Sequence, residues 1–179
     1  MCETNLPVSL KDLLKDVHHT IYSLKIIFLI MIQRRFVRET VLQAVYAYLQ
    51  SGESVSHIIS TLLKDNLKED KESLLFGERL FVLTLEKTDD WDEIIEKHIQ
   101  NWEIGRLALI DKIILYISLC ELTNFPDIPT KVTINEAIDI AKKYSTAKSG
   151  RFVNGILDAS LIQLQKEQKI SKTGRGLIG

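Results

Sequence analysis

Leu107-Ala108-Leu109-Ile110-Asp111-Lys112-Ile113-Ile114-Leu115-Tyr116-Ile117-Ser118-Leu119-Cys120-Glu121-Leu122 is the stretch that decides the fold. Its apolar residues fall on most sides of a helix, and such a helix has to be surrounded by others. The stretch therefore predicts the centre of a helical bundle. Working outward, the spacing stays helical from Arg34 onward. Phe36, Val37, Val41, Ala44, Val45, Tyr48 and Leu49 form one stripe that ends near Ser51-Gly52, and Val55, Ile58, Ile59, Leu62 and Leu63 form a second. Leu74 to Leu85 marks a third helix. Thr88-Asp89-Asp90 supplies a cap and early negative charge for a fourth, containing Trp91, Ile94, Ile95 and Ile99.

Downstream, Phe125-Pro126-Asp127-Ile128-Pro129 breaks the pattern, because each proline disfavours helix before it. Thr133-Ile134-Asn135-Glu136 has the spacing of a capping box and predicts the next helix start. A loop around Ser145-Thr146-Ala147 leads to a last helix with Phe152, Val153, Ile156, Leu157, Leu161 and Leu164. With only 8 glycines and 3 prolines in 179 residues, and no strand signal, the reading is all-α with about seven helices. The segment from Lys169 to Gly179 is glycine-rich and basic and is expected to be disordered.

The net charge is −1, so bulk electrostatics cannot drive binding to a nucleic acid, and any such site must be a local patch. Patches are present. Glu86 to Glu103 holds seven acids against two lysines, a local charge of −5. Gln33 to Glu39 carries +2, and Lys142 to Arg151 carries +4 with no acid. Two basic clusters beside an acidic one point to a polyanion site and a separate site for a basic partner. Each run also has a plainer reading, as a solvated helix face.

Ile26 to Ile32 is the most apolar run, but with Lys25 before it and Arg34-Arg35 after it is too short to span a bilayer. Glu3, Asp12 and Asp16 upstream argue against a signal peptide. A start at Met31 would leave residues 1–30 as an extension that is not native, followed by a domain over 31–168; an amphipathic arm is the alternative. Cys2 and Cys120 make no disulfide framework, which fits a reducing cytoplasm, and Cys120 reads as a buried thiol.

Catalytic chemistry finds little support. His57 and His98 are isolated, and the adjacent His18 and His19 have no second ligand at metal-like spacing. Ser145-Thr146-Ala147-Lys148 matches Ser-x-x-Lys without its partner motifs. No phosphate loop or dinucleotide fingerprint is present, so no catalytic residue, metal or cofactor is expected. The basic clusters say more. Arg34, Arg35 and Arg38 open the first helix, where the helix dipole favours acids, so another use for them is implied. Gln43 and Tyr46 lie within reach on the same helix. Lys148-Ser149-Gly150-Arg151-Phe152-Val153-Asn154-Gly155 mixes cations, an aromatic and an amide at a helix start. That mix suits single-stranded RNA: cations hold phosphates, a ring stacks a base, and Ser or Asn reads an edge. The two segments are expected to meet as one cationic groove.

Residues 34–46, Arg-Arg-Phe-Val-Arg-Glu-Thr-Val-Leu-Gln-Ala-Val-Tyr, resemble the arginine-rich opening of the transcription antitermination factor family NusB. Trp102 to Lys112 is similar to its central helix, and Ile128 to Ile138 with Arg151 to Asp158 is similar to its C-terminal signature. The resemblance implies two packed helical subdomains and no enzymatic activity. It further implies a partner, the small-subunit ribosomal protein called NusE in transcription, with which boxA RNA of nascent ribosomal transcripts is bound and RNA polymerase in the elongation complex is modified against termination. Carried over, Arg34, Arg35 and Arg38 would meet phosphates, and Gln43, Lys148, Ser149, Arg151, Phe152 and Asn154 would lie at or near the RNA. Tyr46 and Asp111 would contact the partner. Lys148 is a departure, since the family often has an acid before this serine. The alternatives are a helical scaffold or homodimer with no RNA role, and a NusB-like piece of a ribosomal RNA cytosine methyltransferase. Against the second, the cofactor loop of such an enzyme is missing.

Overall fold

The computed structural model describes residues 33–99 and 104–177. The expectations placed on residues 1–32, including the start at Met31, and on Trp102 and Glu103 lie outside them. Residues 1–36 cluster as one unit and Val37–Gly179 as another. Of the first, residues 33–36 are described: all are helical, Gln33 and Phe36 are exposed, and Arg34 and Arg35 are half-buried.

Seven α-helices and no strands are found among the described residues. Helix α1 covers residues 33–51 and stops where Gly52 takes φ +69°, the left-handed geometry that glycine reaches most easily. Helix α2 is continuous through Val55–Ile58, a π-helical stretch Ile59–Leu63, and Lys64–Leu67. Ser54 caps its start by accepting from the His57 amide. Helix α3 (Lys71–Glu86) is capped by Asp70, which accepts from the amides of Glu72 and Ser73. Helix α4 (Thr88–Glu96) is preceded by Lys87 rather than capped by Thr88, which is its first residue. Its Trp91 is buried and donates from Nε1 to the Thr84 carbonyl.

Helix α5 (Leu109–Asn124) is the predicted centre, with every residue from Ile113 to Leu122 buried. It packs against α3, α4, α6 (Thr130–Tyr144) and α7 (Ser149–Lys166), so the earlier and later helices share one core through it. Helices α6 and α7 lie close enough that a Cβ on Gly150 would sit 3.0 Å from Lys142 Cγ.

Two further expectations are corrected. Helix α6 begins at Thr130 after Pro129, not at a Thr133 cap. Thr133 and Glu136 are instead buried inside the helix, where their polar groups serve a network described below. The segment expected to be disordered is docked through Leu177. The Thr173 amide donates to the Pro126 carbonyl (2.9 Å), Lys172 Nζ donates to the Phe125 carbonyl (2.9 Å), and Gly174–Leu177 forms a short 3-10 turn. Gly176 is buried there and has to be glycine, because a Cβ would lie 1.9 Å from the Pro126 carbonyl oxygen. Glycine-rich composition, which usually signals disorder, here permits close backbone contact.

Candidate nucleic-acid interface

The first turns of α5 and α7 meet. Ser149 Oγ donates to Asp111 Oδ2 (2.9 Å) and accepts from the Thr146 amide (3.2 Å). Beside this pin opens a cleft of about 730 Å³, within the size range of small-ligand sites. Its walls include Ile99, Leu107 and Ile156, and Arg106, Lys148 and Arg151 bring positive charge. Phe152 is half-buried against it. Along α7, Lys148, Arg151, Phe152 and Gly155 fall at i, i+3, i+4 and i+7, so one helix face carries cations, a ring and bare backbone into the cleft. The α7 start has no acid in its first turn and no side-chain cap. Cations and an uncapped helix N-terminus both favour an anion.

Of the residues singled out in the sequence, the cleft thus collects Asp111, Lys148, Ser149, Arg151 and Phe152. Gln43 and Tyr46 are exposed on α1 and are not in its lining, and Arg34 and Arg35 belong to the unit of residues 1–36. Asn154 is half-buried and donates to Asp158 Oδ2 (3.0 Å), its helical neighbour, outside the cleft lining.

Three expected roles change. Arg38 is 4 % exposed and grips Glu121 with both arms of its fork, Nε to Oε2 at 2.8 Å and Nη2 to Oε1 at 3.0 Å. Glu136 lies 3.9 Å away, and the Thr133 hydroxyl donates to Glu121 Oε1 at 2.5 Å. A guanidinium held this way in the core is not available to a phosphate. Ser149 is 3 % exposed and its hydroxyl proton goes to Asp111, so it supports the turn instead of reading a base edge. Asp111 itself is 8 % exposed, and its Oδ1 is buried without a hydrogen-bond partner. It forms part of the cleft wall, whereas Tyr46 is 42 % exposed.

The basic run at 142–151 is also thinned by pairing. Lys143 Nζ bonds Glu39 Oε2 at 2.7 Å, which holds the ammonium's pKa above the usual lysine range, and the Tyr144 hydroxyl reaches the same oxygen at 2.9 Å. Helix α1 therefore approaches the end of α6 through an acid, Glu39. In the acidic run, Asp92 accepts from Lys112 (2.9 Å) and from the Tyr116 hydroxyl, while Glu86, Asp89, Asp90, Glu93 and Glu96 stay exposed.

Sequence reasoning missed Arg106 and Gly155 as cleft residues. The only signal was a lone cation ahead of the central helix and a glycine inside a helical pattern. His98, which also lines the cleft, has its Nε2 2.8 Å from Gln163 Oε1, and no group of three metal-binding side chains occurs among the described residues. Cys120 is buried, which pushes its thiol pKa up to about 12. No helix among the described residues is long and apolar enough to cross a membrane.

Comparison with known proteins agrees with this architecture. The NusB family model matches residues 35–161. A transcription antitermination protein NusB of Salinibacter ruber is 46% identical over 149 residues, 83% of this chain and 93% of that protein. One of Chloroherpeton thalassium is 39% identical over 148 residues, 83% of this chain and 70% of that protein. Among solved structures, T. maritima NusB is 33% identical with a TM-score of 0.67, covering 76% of this chain and 95% of its own. NusB from a crystal structure of NusB and NusE with double-stranded RNA shares the fold, at 24% identity and a TM-score of 0.66, covering 73% of this chain and 97% of its own. A core arranged around α5, the matched span and these identities place the chain in the NusB family.

Proposed function

We propose that this chain is a transcription antitermination factor that binds boxA-type single-stranded RNA of nascent ribosomal transcripts, together with the small-subunit ribosomal protein NusE, and so modifies RNA polymerase against termination. Its work is binding and not catalysis, and its place is the cytoplasm. One observation carries the RNA reading: Lys148, Arg151 and Phe152, which share one face at the start of α7, line the cleft together, and Arg106 is also in its lining. Cations beside a ring that is only half-buried match the needs of an unstacked strand, whose phosphates seek charge and whose bases seek an aromatic face. Arg34 and Arg35 add phosphate contacts, and Gln43 and Asn154 flank the strand. Tyr46 and the exposed acids of α4 face the ribosomal protein, which is basic.

The test is a titration of the full chain, with and without the ribosomal protein, against boxA-like and scrambled RNA at several salt concentrations. The wild-type chain with its partner should prefer boxA. Changing Lys148→Ala together with Arg151→Ala should flatten the slope of log affinity against log salt by about 1.4, at ~0.7 per phosphate contact. Phe152→Ala should cost about 1–3 kcal/mol of RNA affinity. No preference for boxA, or a slope unchanged in the double variant, would refute the proposal.

A further inference from the structure

A glycine inside a helix destabilises it relative to alanine, so each one calls for a local reason. Two of the three glycines inside α-helices among the described residues have one in packing. A Cβ on Gly77 would lie 2.9 Å from Leu67 Cδ1, and one on Gly150 would lie 3.0 Å from Lys142 Cγ. Gly155 differs. Among the described residues a Cβ there would meet nothing within 4 Å, and its φ is not in the left-handed range. No contact with a described residue requires a glycine at this position, and Gly155 lines the cleft.

We infer that Gly155 and Phe152 form the seat of one nucleobase, with Gly155 leaving the α7 backbone bare so that the base lies flat beside the ring. Phe152 is three residues before Gly155 on the same helix face, and Lys148 and Arg151 follow on that face toward the helix start. A base seated at Gly155 therefore has its phosphate within the reach of two cations, with Arg106 elsewhere in the lining. Bare backbone is a recurring device where a ligand must come close to the main chain. The occupant is a nucleotide and not a segment of the ribosomal protein, because the three cations of the lining outnumber its one acid, Asp111, and so repel a basic chain and attract a phosphate. This inference rests on the RNA reading above and names the place where one base sits.

Gly155→Ala tests it, because the variant moves two readouts in opposite directions. Alanine is the better helix former and meets no clash, so Tm should rise by about 2–4 °C. The added methyl stands between base and backbone, so affinity for a boxA-like oligoribonucleotide should fall by between about fivefold and a hundredfold, the range that loss of one stacked base covers. Gly155→Leu should weaken RNA binding further, and affinity for the ribosomal protein should be unchanged in both variants. A rise in Tm with unaltered RNA affinity would overturn the inference. So would weaker binding of the ribosomal protein with RNA affinity intact, which would assign the cleft to that partner. A wild-type chain with no boxA affinity would refute the function proposed above, an outcome distinct from failure of the glycine variants alone.

Discussion

Arg38→Ala separates two roles that one arginine cannot fill together. In the structure the Arg38 and Glu121 side chains are 5% and 1% exposed and are joined by a two-armed ion pair. The same guanidinium lies 5.8 Å from the centre of the Phe76 ring. Truncation leaves the Glu121 carboxylate in the core with the Thr133 hydroxyl as its remaining hydrogen-bond donor at 2.5 Å. Breaking a buried pair from one side costs about 3–5 kcal/mol, because the surviving charge keeps its desolvation penalty. A domain of this size has about 5–15 kcal/mol of stability in all, so the loss is a large share. It corresponds to a fall in Tm of about 6–20 °C. Urea and thermal unfolding of the full chain measure this directly, and salt-dependent RNA titration of the folded fraction measures the other role. A structural Arg38 predicts a large drop in stability with the salt slope of the folded protein unchanged. Were the variant within ~0.5 kcal/mol of wild type, as surface changes usually are, and its slope flatter by ~0.7, Arg38 would be a phosphate ligand and the burial argument would be wrong.

Three further outcomes follow from the same physical reading. Ser149→Ala removes the donor to Asp111 Oδ2 while Oδ1 is already unpaired, so it should cost about 1–3 kcal/mol in urea unfolding; a neutral result would mean that Asp111 finds another donor. Gly176→Ala should release the docked C-terminal segment, since its Cβ would lie 1.9 Å from a backbone oxygen, and faster tryptic cleavage after Lys172 and Arg175 would report it. Cys120 should resist a thiol-specific reagent at pH 8 in the folded protein, because burial raises its pKa to about 12 and the thiol stays protonated, and it should react once urea unfolds the chain.

The helices were readable from the chain because their signals are local. Apolar periodicity placed α5 at the centre, and Ile113 to Leu122 are all buried there. Lys148, Arg151 and Phe152 were readable for the same reason, since helical positions i, i+3 and i+4 share a face whatever packs around them. Partnerships between distant residues were not readable. The capping-box spacing of Thr133 and Glu136 was real, yet a buried Glu121 and Arg38, 83 residues apart, drew those polar groups into the core.

Local pattern by itself therefore determined which segments are helical, which helix is innermost and where cations and an aromatic ring share one face. Tertiary structure alone decided which charges stay in water. A cation is chemically the same in Arg38 and Arg151, but the first is surrounded by α5 and α6 and must pair, while the second faces an open cleft. The cost of taking a charge out of water depends on what packs over it, and that is set only when the helices assemble.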